Sequence, residues 1–367
     1  MRWTSPIVLR TVVLCGVASC SVVVLGCRET SAPVEPAVSQ GAAADEPATE
    51  TMLVTAGGNI QKDGNGQIVL VDFSDKPIDG KILSRVGQLP RLQKLLLRGC
   101  PVTDAMLEQL GVPPELQTLD VRGTQLTGKS LAQIGQMTNL RNLQFRGNAI
   151  TGATLPGLAG LTRLEVLGLD ETAIDGSGLE SLRSIQNLQE LYLFGTPFRE
   201  EHLPKLAFFP KLKKLRLRAT PITGESFAQL SGLAALEDLD VSETEFDDAA
   251  VAHLNAFGNL KRLNLWSTRI SDKALPEVAQ LPSLTWLNLD RNAIGDANIE
   301  QLTELKNLKW LHLGSTSLTD EGLLKLAPMK QLETLIVTRT QVTEGGVARL
   351  AAEMPDTEIQ HIYMPAE

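Results

Sequence analysis

The sequence predicts an α/β solenoid, a stack of short strand–turn–helix units that share one parallel sheet. Three observations predict it. A leucine recurs every 24 residues, at Leu92, Leu116, Leu140, Leu164, Leu188, Leu212, Leu236, Leu260, Leu284, Leu308 and Leu332. Within each period, counting that leucine as column 1, columns 4 and 6 are apolar between mostly polar neighbours, the two-residue rhythm of a strand with one buried face. Columns 16, 19 and 22 are then apolar at helical spacing, as in Leu155, Leu158 and Leu161. One period before Leu92 lies Ile68, and Ile68 to Phe73 fits as a degenerate first copy, so twelve copies span 68–355. A single copy cannot bury its leucines. Copies stacked about 4.8 Å apart bury them against one another, with the sheet on a concave face and helices on the convex face.

The segments ahead of the repeats read as an address, a tether and a lid. Arg2 and Arg10 bracket a basic region, and Thr11 to Gly26 carries no charge. That run is short for a spanning helix, which needs about 20 residues, and suits a secretory signal peptide over 1–27. It ends Val24-Leu25-Gly26-Cys27, which resembles the lipobox of bacterial lipoproteins; the resemblance implies cleavage before Cys27 and a lipid on its thiol. Val17-Ala18-Ser19-Cys20 also fits but leaves a stunted apolar run. An uncleaved anchor and a plain secretory signal are the alternatives. The lipobox reading makes the chain an exported, membrane-anchored protein of the cell envelope. Arg28 stands where many lipoproteins retained in the inner membrane carry aspartate, which favours the outer membrane in a cell that has one. Residues 28–55, rich in Ala, Pro, Glu, Ser and Thr without aromatics, are expected to be a disordered tether. Gly57-Gly58-Asn59-Ile60 and Asp63-Gly64-Asn65-Gly66 predict a capping hairpin over 56–67.

Inside the repeats each column has a physical task. Column 9 is a small polar residue, Thr in most copies, Asn148 and Asn292 in two and Cys100 in one, suited to bonding buried backbone. Column 12 is usually Thr, Ser or Asp, as at Thr103, Thr127, Asp175 and Ser271, the residues that cap helix starts. Column 13 holds Asp104, Asp248, Asp272, Asp296 and Asp320, read as first-turn acids favoured by the helix dipole, with a calcium ladder as the sharper alternative. The repeat phase breaks near Met354-Pro355-Asp356, and 356–367 is expected to be a C-terminal cap with a last half-repeat strand, blunted by Pro365.

Columns 3, 5 and 7 face the concavity and carry the candidate ligand-binding residues. Aromatic residues concentrate there: Tyr192, Phe194, Trp266, Trp286 and Trp310. Trp286 and Trp310 share a column in adjacent copies and should lie side by side. Asn264, Asn288 and His312 run along column 5 beside them. Aromatic anchors with amides nearby suit a protein loop or a glycan, or else shield the sheet. Lys94, Arg98, Arg122 and Arg146 form a basic stripe with few acidic neighbours, a recognition element for an anionic group or a solvated face. Lys214 and Arg216 should pair with Asp238 and Asp240 on the next strand.

Net charge of −9 argues against a nucleic-acid partner. Four separated histidines, four cysteines and no nucleophile, phosphate-loop or zinc spacing give no catalytic, metal or cofactor site. The pattern L-x-x-L-x-L-x-x-T-x-I-T-D-x-x-L resembles the short, cysteine-containing-like leucine-rich repeat, with Thr where Cys or Asn is usual. That resemblance implies ligand binding, usually of protein or peptide, rather than catalysis. A rigid or self-associating envelope spacer is the alternative, and polysaccharide recognition a third.

Overall fold

The computed structural model describes residues 47–362. The signal segment, with Cys20 and Cys27, residues 28–46 and Pro365 lie outside them. Among the described residues no helix is long and apolar enough to cross a membrane.

Helix α1 (Pro47–Thr55) opens the described chain, starting with proline at the position where its missing N–H costs nothing. This corrects the disordered tether, which cannot extend to residue 55. Leu53 is fully buried against the first repeat, and Glu50 pairs with Lys62 of the hairpin. The segment's composition hid this, because only one side chain is fully buried. Strand β1 (Asn59–Lys62) runs antiparallel to β2 (Ile68–Asp72), with Ile60 opposite Val71. In the turn between them Asp63 Oδ1 accepts the N–H groups of Asn65 and Gln67 at 2.8 and 3.0 Å.

From β2 onward every strand pairs in parallel with the next at an offset of one 24-residue period. Val71 lies opposite Leu95, Leu95 opposite Leu119, and so on to Leu311 opposite Leu335. Register is fixed because a one-residue slip would turn every column-4 leucine to solvent. Among the described residues the sheet has 14 strands and ends on Glu358–Gln360. That last strand keeps the same offset, Leu335 opposite Ile359. The expected phase break is therefore one of side chains only: Asp356 fills column 1 with a charge, yet the backbone ladder continues.

The convex segments are short, and many are 3₁₀ rather than α, such as Gly152–Leu158 and Glu200–Phe208. The reason lies in the spacing of columns 16, 19 and 22. A period of three matches the three residues per turn of a 3₁₀ helix, not 3.6. Pro156 and Pro204 sit inside these segments.

Two ladders of polar groups and one backbone regularity run through the copies. In column 9 the threonine hydroxyl donates to the column-6 carbonyl of its own copy, for example Thr196 to Leu193 at 2.7 Å and Thr316 to Leu313 at 2.7 Å. Asn148 and Asn292 reach further, donating both to their own copy and to the carbonyl of the copy before: Val121 for Asn148, Leu265 for Asn292. The buried Cys100 thiol also donates backwards, to Phe73 O at 3.0 Å, and burial pushes its pKa up. In column 13 the aspartates bind the next copy. Asp104, Asp248, Asp296 and Asp320 each accept both the N–H and the hydroxyl of the column-12 residue one copy on: Thr127, Ser271, Thr319 and Thr343. They are latches between copies rather than only dipole partners, and no metal-holding cluster exists among the described residues. Column 8 shows the third regularity. From Asp75 through Gly123, Glu171 and Ser267 to Arg339 it takes positive φ in all twelve copies. This left-handed residue turns the chain out of the strand.

Candidate ligand-binding face

Strands Trp286–Asn288 and Trp310–His312 each bury only their central leucine, so the flanking side chains stand on the concave face. Their parallel pairing sets Trp286 against Trp310 and Asn288 against His312. The two indoles stack, with centroids 4.3 Å apart and planes 5° apart. Strand spacing and aromatic stacking distance coincide, so the register itself builds the pair. Arg262, one copy earlier in column 3, lays its guanidinium 4.3 Å from the Trp286 centroid and reaches Asp238 at 3.6 Å. Asp238 is also 3.5 Å from Lys214. Column 3 is thus a continuous run of alternating charge that ends in two stacked rings.

Column 7 is built likewise. Ser242 is small and buried, and Arg218 lies between two aromatic rings, 5.0 Å from Phe194 and 4.9 Å from Trp266. Arg146 and Arg291 approach the same two rings at 5.9 Å each. Phe194 and Trp266, three copies apart with Arg218 and the serine between them, therefore belong to one ladder. Tyr192 stands apart from it. Its hydroxyl bonds Glu190, and Lys214 and Arg216 sit 5.6 and 5.3 Å from its ring.

Between the two ladders, about 13 Å apart across four strand residues, column 5 forms a polar floor. Asn264 Oδ1 accepts Trp266 N–H at 3.2 Å, and Asn288 Oδ1 accepts Asp290 N–H at 3.0 Å. Each amide uses its oxygen to satisfy local backbone, and the Asn264 NH2 also donates to Ser242 Oγ at 3.4 Å. His312 meets Trp310 edge-on, with centroids 5.6 Å apart, and burial holds its pKa below the usual imidazole value.

The structure brings Trp266, Trp286, Trp310, Asn264, Asn288 and His312 together, leaves Arg98 and Arg122 elsewhere, and sets Arg146 at the far end of the column-7 ladder beside Phe194. The three arginines of the basic stripe are each held in an ion pair. Arg98 reaches Asp75 at 3.4 Å, Arg122 grips Asp120 with contacts of 2.5 to 3.1 Å, and Arg146 binds Glu171 through two bonds of 2.7 and 3.0 Å. Arg146 in turn holds the Glu171 carboxyl below its usual range. Asp75 and Glu171 occupy column 8, whose left-handed backbone aims them back at column 7; counting concave columns alone overlooks them. Arg218, Arg262 and Arg291 were the residues that sequence reasoning passed over. The available signal was a basic residue one or two copies from an aromatic in the same or adjoining column.

Comparison with known proteins concerns the fold. A family model described as Leucine Rich repeat matches residues 304–327. No curated relative matches the chain by sequence. An internalin of Listeria monocytogenes (inlF) is similar in structure, with TM-score 0.65 and 21% identity over 87% of this chain and 91% of that one. A leucine-rich repeat protein of Leptospira interrogans gives TM-score 0.56 and 21% identity over 76% and 80%. A structure described as a TDR receptor gives 0.58 and 18% over 81% and 56%. With one register from end to end and these likenesses, the fold is that of a leucine-rich repeat solenoid.

Proposed function

We propose that this is an exported, lipid-anchored envelope protein that binds a protein or peptide on the concave face of its ninth to eleventh copies. The observation that carries the binding reading is the pair of cation–aromatic ladders flanking the amide floor. Large rigid rings and arginines are the side chains on which binding energy concentrates. Their guanidiniums are held by aromatic faces, and Arg218 and Arg262 by Glu243 and Asp238 as well, so little ordering remains to be done on binding. Structural neighbours include an internalin and a receptor. The export and lipid anchor rest on the Val24-Leu25-Gly26-Cys27 sequence.

The geometry favours a peptide over a polysaccharide. A sugar ring stacks on an open aromatic face, but Trp286 has Arg262 on one side and Trp310 on the other. Trp286 is left with its edge toward solvent. Selection of displayed random peptides on the chain tests the reading. Enriched peptides should lose binding to Trp286→Ala and Trp310→Ala and keep it on Tyr192→Ala. Peptides that bind all variants equally, or no enrichment over a spacer-like control solenoid, would remove this face as the binding site.

A further inference from the structure

Column 7 of the eleventh copy is Gly314, the one glycine in that column from Arg98 to Thr338. Its backbone has no positive φ, so glycine is not there for the turn. What its missing side chain leaves is a notch with three polar walls. A Cβ built on Gly314 would lie 2.7 Å from His312 Nε2, 3.0 Å from Thr338 Oγ1 and 3.1 Å from Asp290 Oδ1. The three residues come from three successive copies and from columns 5 and 7, so only the parallel register brings them together. Among the described residues, Asp290 makes no ion pair and none of the three atoms has a hydrogen-bond partner. They are reached by solvent rather than sealed.

Two of the three walls, His312 and Thr338, also line a groove of about 850 Å³ at the C-terminal end of the stack. The groove's apolar wall includes Ile336, Ile359 and Val347, its acids are Glu344 and Glu358, and neither lysine nor arginine lines it. Next to the notch stands the edge of His312 against Trp310. Arg291, the nearest cation in sequence to Asp290, is turned toward Trp266.

The geometry points to a seat for a primary ammonium of the bound peptide, over Gly314 and between Asp290, His312 and Thr338. An ammonium carries three N–H donors and one charge. The notch offers a carboxylate oxygen, a threonine oxygen and an imidazole nitrogen, which accepts when the ring is neutral and protonated at Nδ1. Burial favours that neutral ring at pH 7. A ligand hydroxyl has a single proton and leaves the carboxylate charge uncompensated. An anion meets Asp290 and two acidic neighbours in the groove. The ammonium belongs either to a lysine side chain or to the first residue of a chain; both present the same chemistry. This inference rests on the concave face being the binding face and names what one part of it reads.

The test uses small probes, so that it does not depend on the larger ligand. The chain is labelled with 5-fluorotryptophan, and the ¹⁹F resonance of Trp310, identified by Trp310→Phe, is followed. Nα-acetyl-lysine N-methylamide carries a side-chain ammonium alone, alanine N-methylamide a terminal one alone, and Nα,Nε-diacetyl-lysine N-methylamide neither. A saturable shift with one or both of the ammonium probes and none with the diacetyl probe is expected, and which of the two binds tells side chain from terminus. Gly314→Ala sets a methyl group 2.7 Å from His312 Nε2 and so pushes the imidazole aside, and Asp290→Asn keeps the shape and removes the charge. Each should weaken the probe by about tenfold or more, the size of a lost charge-assisted hydrogen bond. Equal shifts with the diacetyl probe, an unchanged affinity in Asp290→Asn, or no shift with either ammonium probe would overturn the assignment. In that event displayed peptides that still depend on Trp286 and Trp310 would leave the binding face standing. Loss of that dependence with the probes still binding would do the reverse.

Discussion

The Arg262 guanidinium carbon lies 4.3 Å from the centre of the Trp286 ring, while its Nε stands 3.6 Å from Asp238. One side chain thus ties the charged half of column 3 to its aromatic half. Neither contact is strong alone. The side chain is about half exposed, where a cation–π contact contributes about 0.5–1 kcal/mol and an ion pair about as little. Their value is in orientation: the guanidinium covers the outer face of Trp286 and leaves the indole edge as the contact surface.

Arg262→Ala should therefore change binding through Trp286 without unfolding the stack. Trp286→Ala and Trp310→Ala are each expected to weaken a display-selected peptide by at least about 2 kcal/mol, and Arg262→Ala by less. Thermal midpoints should move little, since none of the three sits in the leucine core. Calorimetric titration gives the first comparison. Acrylamide quenching gives a second: it should rise in Arg262→Ala as the indole face opens. Unchanged quenching would mean that the arginine does not shield the ring in solution.

Face assignment is tested by two neighbours in the fifth copy. Leu167 is fully buried and Val166 only partly so. Leu167→Asp places a carboxylate among leucines with no partner and should cost several kcal/mol. Val166→Asp should cost under about 1 kcal/mol. Urea melts separate the two, and equal losses would contradict the register.

The latch of Asp248 to Ser271 can be removed on its own. Its two carboxylate oxygens accept the Ser271 N–H at 2.6 Å and the hydroxyl at 2.7 Å. Asp248→Ala leaves a partly buried N–H and O–H without acceptors and should cost about 1–3 kcal/mol. Because the carboxylates hold protein donors, a chelator should not shift the thermal midpoint. A chelator-dependent fall would restore the calcium ladder.

What the sequence made legible follows its period. Strand register, buried columns, the stacked tryptophans and the cross-strand pairing of Lys214 with Asp238 all need only the offset of 24. What escaped does not repeat with the period. Leu53 anchors a helix outside the repeats, and nothing in one apolar residue within a polar segment announces burial. Arg98 and Arg146 looked unpaired because Asp75 and Glu171 lie in column 8, and their direction depends on a left-handed φ of 61° and 53° that composition does not reveal. The Gly314 notch is visible only when three copies are assembled.

Column 8 also makes a prediction of opposite signs. Ser315 holds φ 49° and Gly123 holds φ 64°. A left-handed backbone costs a side-chain-bearing residue about 1–2 kcal/mol, part of which glycine returns through the greater freedom of its unfolded chain. Ser315→Gly should be stabilising by under about 1 kcal/mol. Gly123→Val should be destabilising by more than Gly123→Ala, because a β-branched residue fits positive φ worst, while space is not limiting at that site. Two valine and alanine variants of equal stability would show that column 8 relaxes out of the left-handed region in solution.

Asp170 carries the last prediction. It stands in column 7, partly buried, with Oδ1 accepting the Phe194 N–H at 2.7 Å. Burial raises its pKa, and the Phe194 bond together with Arg216 and Arg146 only partly offsets that. A carboxyl whose folded pKa lies above its unfolded value binds its proton more tightly in the folded chain. Its contribution is most favourable below the ordinary carboxylate value and is lost as pH rises through the raised one. At pH 7 the charged group therefore weighs against folding, by an amount that solvent reaching the carboxylate keeps small. Asp170→Asn removes the charge and keeps an oxygen for the Phe194 N–H. The variant should melt higher than the parent at pH 7, by a few degrees at most, and the advantage should shrink as pH falls through the carboxylate range. Paired melts at pH 3 and pH 7 check the sign. A variant that is less stable at pH 7 would show that attraction to Arg146 and Arg216 outweighs desolvation, and that this part of the face is held together by charge.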